Sequence, residues 1–183
     1  MSNTPHGFVL WLTGLPSSGK TTLARILCDR LGAEGLIVQL LDSDTLRQVL
    51  TPQLTYSDAE RDWFYGVLVY LAELLAGNGV NVVIAATGAR RAYRDKARER
   101  LARFGEVFVD CPADVCRRRD PKGLWQKAES GAIWGLPGAD APYEPPLQPA
   151  ARVATARTDP QEGADQILQQ LRSSGFFGAQ EKS

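Results

Sequence analysis

Residues 14–21 read Gly-Leu-Pro-Ser-Ser-Gly-Lys-Thr and follow directly on the apolar run Phe8-Val9-Leu10-Trp11-Leu12. This is the phosphate-loop pattern GxxxxGK(S/T) in the strand-then-helix setting that it requires. Glycines let successive backbone N–H groups turn inward around a polyphosphate, Lys20 reaches the outer phosphates, and the Thr21 hydroxyl is placed to ligate Mg²⁺. The helix-forming stretch Thr22-Leu23-Ala24-Arg25-Ile26-Leu27 then sets a helix N-terminus against the anion. A glycine-rich turn that merely joins strand to helix is the plainer alternative. It is disfavoured because every residue of the pattern falls in that setting.

The rest of the chain fits an α/β frame around such a loop. Apolar runs at Phe8–Leu12, Leu36–Leu41, Val80–Ala86 and Glu106–Asp110 alternate with helix-length segments of three-to-four spacing, which predicts a doubly wound parallel sheet. Ser57-Asp58-Ala59-Glu60 reads as a capping box opening a helix to about Ala76, closed by Gly77 and Gly79. Arg91 to Arg103 reads as a further helix. Its bland reading as a solvated face is weakened by the like-charge i,i+4 pairs Asp95/Glu99 and Arg94/Arg98. Ser130 to Ala151 is rich in Gly and Pro and too long for a turn, so it reads as a functional lid. Asp159-Pro160 opens a last helix through Leu171, and residues 180–183 are expected to fray. The 183 residues suit one domain.

Lys+Arg and Asp+Glu each total 21, so nothing in the net charge favours nucleic acid or an acidic membrane, and small-molecule partners are expected. Three cysteines, Cys28, Cys111 and Cys116, suggest a reducing cytoplasm rather than a disulfide framework, with Cys111 and Cys116 as core thiols. Their spacing and the single His6 suit no zinc pattern, so the expected metal is Mg²⁺ arriving with nucleotide. The first seven residues lack the pattern of an export signal, and no later run approaches membrane-spanning length.

In open α/β sheets ligands gather at the carboxyl ends of the strands. Asp42 and Asp44 stand there, after the second apolar run. Two carboxylates so close can divide labour, one serving Mg²⁺ and the other taking the proton of an attacking hydroxyl; a solvated turn is the plainer alternative, disfavoured by the phosphate loop upstream. Arg47, a turn later, suits bidentate contact with an anionic acceptor; an exposed helical arginine is its ordinary reading.

With Trp11-Leu12-Thr13-Gly14-Leu15, the phosphate loop, Leu41-Asp42-Ser43-Asp44-Thr45-Leu46-Arg47, Arg119-Asp120-Pro121-Lys122-Gly123-Leu124-Trp125 and Asp140-Ala141-Pro142-Tyr143-Glu144-Pro145-Pro146, the chain resembles the adenylylsulfate kinases from about Val9 to Leu171. The resemblance implies a three-layer P-loop fold with a parallel five-stranded sheet flanked by helices, a lid over about residues 119–150, and a homodimer. It implies phosphoryl transfer from MgATP to the 3′-hydroxyl of adenylyl sulfate. Carried over by position, Gly14, Ser17, Ser18, Gly19, Lys20, Thr21 and Thr22 would hold the ATP phosphates, with Arg119 in the mobile region above them. Asp42 and Asp44 would share metal and base roles, with Asp44 the expected base. Arg47, Arg61, Lys122, Gly123 and Leu124 would line the acceptor site, Tyr56 would stack on its adenine, and Leu136 stands where a lid phenylalanine completes that sandwich.

The chain also departs from the family pattern. Phe64 and Gly66 replace an Asn and an Arg, and Thr87-Gly88-Ala89 replaces Ile-Ser-Pro. Losing a hydrogen-bonding partner to a buried ligand group costs about 1–3 kcal/mol, enough to change which acceptor wins. Arg90, Arg91 and the aromatics Trp63, Phe64 and Tyr65 are candidate compensations, with core packing the expectation for two of the three rings. A kinase for another nucleotide or small hydroxylated acceptor, and a silent nucleotide-binding module, are the competing functions.

Overall fold

A computed structural model describes residues 6–51, 55 and 57–178. Tyr56 and residues 180–183, with the expectations attached to them, lie outside the described residues. Five parallel strands, β1 (Val9–Thr13), β2 (Val38–Asp42), β3 (Asn81–Ala85), β4 (Phe104–Asp110) and β5 (Ala151–Ala154), form one sheet in the order β2-β3-β1-β4-β5. The helices are α1 (Lys20–Ala33), α2 (Ser43–Leu50), α3 (Asp58–Gly77), α4 (Arg91–Arg100), α5 (Ala113–Arg119), α6 (Leu124–Glu129) and α7 (Pro160–Ser173).

Strand alternation builds the two sides of the core. Leu10, Leu12, Val83, Ala85, Val107 and Val153 face one way, into a cluster with Leu23 and Leu27 of α1 and Ile167 and Leu171 of α7. Val9, Trp11, Val82 and Ile84 face the other way, against Phe64, Leu68 and Ala72 of α3 and Tyr93 and Ala97 of α4. Three layers result. Because β1 is central and buried on both faces, its sequence is a continuous apolar run rather than an alternating one.

The capping residues act as the sequence suggests, with one difference. The Ser57 side chain accepts the N–H of Glu60, and Asp159 accepts that of Gln161. The Glu60 carboxylate does not complete a reciprocal box; it accepts from Thr55 N at 2.6 Å and pairs with Arg47 at 2.9 Å. The helix expected over 91–103 stops at Arg100, where β4 begins four residues later at Phe104. The Arg94/Arg98 repulsion is cancelled from outside the helix, since Glu106 on β4 pairs with both arginines. The segment expected to be irregular to Ala151 yields to β5 at that residue, a fifth strand that the sequence pattern does not locate. No helix among the described residues is long and apolar enough to cross a membrane.

Candidate active site

A cleft of about 1010 Å³ opens across the carboxyl ends of the strands, lined among others by Lys20, Thr21, Asp42, Arg47, Arg61 and Lys122. The phosphate loop forms its floor. Gly14 is required by close approach, because a Cβ there would collide with the Val109 carbonyl oxygen. Ser17 takes a left-handed conformation at φ 67°, which turns the chain back toward α1. Ser17, Gly19, Lys20, Thr21 and Thr22 border the cleft, whereas Ser18 is fully buried, its hydroxyl oxygen without a hydrogen bond and its carbonyl accepting from Thr155 Oγ1 at 2.8 Å.

Lys20 Nζ donates to the Gly14 and Leu15 carbonyls at 3.0 and 2.7 Å, so the ammonium rests within its own loop. Burial draws its pKa down to about 8, with Asp44 opposing. Such a cation is held ready for a compensating polyanion.

The two carboxylates are placed differently. Asp42, 9 % exposed, caps α2: its Oδ1 accepts the backbone N–H groups of Asp44 and Thr45, and its Oδ2 accepts from Thr21 Oγ1 at 2.8 Å. Asp44 sits one residue into the helix with a half-exposed side chain, paired with Lys122. An Asx cap thus explains why Asp42 ends a strand, and the turn it makes sets Asp44 on the cleft.

The acceptor candidates also meet here. Arg47 is buried with Nη1 on Glu60, and its guanidinium carbon lies 3.8 Å from the centroid of the Phe64 ring. Any grip on an acceptor anion is therefore shared with Glu60. Arg61 Nη2 donates to the Gly135 carbonyl at 2.7 Å, joining the start of α3 to the turn that Asp140 closes. Leu124 lines the cleft, and Gly123 in the left-handed region starts α6 just beside it. Leu136 borders the cleft but is only 8 % exposed, packed in a cluster with Trp125, Cys111 and Cys116. Arg119 donates to the Thr155 carbonyl at 2.6 Å, on the β5 side. Of the candidate compensations, Phe64 and Tyr65 are core residues and Trp63 is half-exposed. Arg90 borders the cleft, paired with Asp58.

The segment with Tyr143 and Glu144, which the sequence marks only as part of the expected lid, is strapped to β1 and to the loop after β3. Tyr143 Oη lies 2.9 Å from Thr13 Oγ1, Glu144 N donates to the Ala89 carbonyl at 2.8 Å, and Arg91 N donates to Glu144 Oε2 at 2.7 Å. Fully buried Arg94 donates to the carbonyls of Gly88 and Glu144 and to Glu106. Burial pushes the Tyr143 phenol up to about 12. The like-charge spacing around Arg94 was the available signal.

A phosphate loop after the central strand β1, a carboxylate pair after the edge strand β2 and the cations Arg47, Arg61 and Lys122 around the same cleft define a P-loop kinase. A sequence profile of the adenylylsulphate kinase family matches residues 6–154. The adenylyl-sulfate kinase of Synechococcus sp. strain JA-3-3Ab is 42 % identical over 172 residues, covering 94 % of this chain and 98 % of the relative. A probable adenylyl-sulfate kinase of Pyrococcus abyssi is 39 % identical, covering 94 % and 99 %. The structure of Mycobacterium tuberculosis APS kinase CysC in complex with AMPPNP and APS superposes with a TM-score of 0.86 at 36 % identity, covering 92 % of this chain and 99 % of that one. The chain belongs to the adenylylsulphate kinase family.

Proposed function

We propose that this chain transfers the γ-phosphoryl group of MgATP to the 3′-hydroxyl of adenylyl sulfate, giving 3′-phosphoadenylyl sulfate. The observation that supports this most is the convergence of Lys20, the Asp42/Asp44 pair and the cations Arg47, Arg61 and Lys122 on one cleft. Residues 14–22 hold the donor's phosphates by backbone N–H groups, and Lys20 leaves its loop carbonyls for the transferred group. Thr21 and Asp42, hard oxygen donors already within 2.8 Å of each other, fit Mg²⁺. When bound there the ion neutralises charge on the outer phosphates. Asp44 takes the proton of the 3′-hydroxyl as that oxygen bonds to the γ-phosphorus and the bond to the ADP oxygen breaks. Its pairing with Lys122 makes the two events one: an anionic acceptor that claims Lys122 releases the Asp44 carboxylate for the hydroxyl. The lid over about residues 119–150 excludes water, which protects the γ-phosphoryl from hydrolysis.

One observation keeps a second acceptor in view. Phe64 is fully buried beneath Arg47 and offers no hydrogen-bonding group at the position to which the family resemblance assigns an Asn. The test is an assay of the purified protein at saturating MgATP with adenylyl sulfate and a panel of other hydroxylated acceptors. Formation of 3′-phosphoadenylyl sulfate is expected. No such product beside clear ADP release with another acceptor refutes the substrate and keeps the chemistry; no transfer to any acceptor supports a silent module instead. A cytoplasmic homodimer is the assembly we propose, supported by exposed Trp63, Tyr70 and Leu74 along α3 and measurable by light scattering.

A further inference from the structure

Trp134 is 77 % exposed and borders the cleft, an unusual position for the largest apolar side chain. It stands on a rigid mount. The Asp140 carboxylate accepts the N–H groups of Gly135 and Leu136 at 2.6 and 2.7 Å, Gly138 N donates to the Ala141 carbonyl at 2.8 Å, and Leu136 is sunk into the cluster around Trp125. The mount is fixed to the acceptor side of the cleft. Arg61 bonds the Gly135 carbonyl, and Gly135, at φ 79°, has no side chain because a Cβ there would lie 2.9 Å from Arg61 Nη2. The ring is therefore carried by the same turn that holds Arg61, on the β2/β3 flank and away from Arg119 and Thr155.

We infer that Trp134 is the aromatic face on which the purine of the acceptor nucleotide rests when the lid closes, a role that Leu136, buried and without a ring, does not fill. The inference rests on the acceptor reading above. Stacking is indifferent to the hydrogen-bonding edge of a base, so it restores affinity without replacing the groups that Phe64 and Gly66 lack. An exposed indole costs solubility, and a base that covers it removes that cost only while acceptor is bound.

The experiment measures steady-state kinetics and tryptophan emission for the unmodified chain, Trp134→Ala, Trp134→Phe and the control Trp63→Phe. Trp134→Ala is expected to raise KM for adenylyl sulfate by ~10-fold while KM for MgATP and kcat move less than about 2-fold, and Trp134→Phe to recover most of the loss. Adenylyl sulfate added with MgADP is expected to quench emission in the unmodified chain and in Trp63→Phe, and to fail to do so in Trp134→Phe. An unchanged KM for adenylyl sulfate in Trp134→Ala, or a rise confined to MgATP, overturns the assignment and leaves the kinase reading standing. Absence of 3′-phosphoadenylyl sulfate from the unmodified chain refutes the acceptor reading itself, and this inference with it.

Discussion

Replacing Arg94 by methionine tests the strap directly. The guanidinium is fully buried and serves three acceptors: Glu106 Oε1 at 2.6 Å, the Glu144 carbonyl at 2.6 Å and the Gly88 carbonyl. Methionine fills much of the volume but donates to none of them. Removing one partner of a buried pair costs about 3–5 kcal/mol, because the other charge is left behind. Here Arg98 still holds Glu106, so the lower end, ~3 kcal/mol, is expected. For a domain of this size that is a fall in Tm of about 6–12 °C. The double variant Arg94→Met with Glu106→Met should regain part of the loss, since an apolar pair of similar volume often matches a buried ion pair. Urea denaturation gives both numbers. Loss of less than about 1 kcal/mol in the single variant, or strictly additive losses in the double, would show that the strap does not depend on this pair.

Lys20→Ala should lower transfer at least ~100-fold, since no other loop side chain supplies a mobile cation to the transferred group, and near-normal turnover would sink the kinase reading. Asp44→Asn should lower kcat far more than it weakens ATP binding, while Asp42→Asn should shift the Mg²⁺ dependence; the opposite pattern means that the two roles are exchanged. Tyr143 carries a pH prediction. Its phenol is raised by burial from 10.0 to about 12, so the folded state holds the proton more tightly, and the stabilisation is complete below pH 10 and lost as pH rises through about 12. The difference in Tm between the unmodified chain and Tyr143→Phe should therefore move against the unmodified chain over that interval, and a difference independent of pH refutes the link.

The sequence made some of this legible for definite reasons. The phosphate loop prescribes its own strand and helix, and Ser57 and Asp159 announce helices through side chains that bond only locally. What it hid depends on distant partners. The four residues of β5, Ala151-Arg152-Val153-Ala154, alternate buried and exposed with only small apolar groups, and they become a strand because β4 offers an open edge. Arg94 and Arg98 look mutually repulsive until β4 brings Glu106 between them. Among the site residues, the order of Asp42 and Asp44 in chain and space follows from an Asx cap. The prominence of Trp134 follows instead from a turn closed by Asp140, which local pattern does not single out. Leu136 shows the converse, a position aligned with an aromatic ring whose side chain turns inward to Trp125.

The strand order has a practical meaning for anyone wishing to retune the enzyme. With β1 in the middle, α2 and the start of α3 lie on the β2/β3 flank, while Arg119 and Thr155 lie on the β4/β5 flank. A library confined to the first flank samples new hydroxyl compounds against an unchanged ATP cradle. The stretch between Asp120 and Pro142 faces both flanks, through Arg61 on one side and Leu15 and Trp125 on the other. Changes there should trade one ligand against the other, so directed evolution would do well to visit it last.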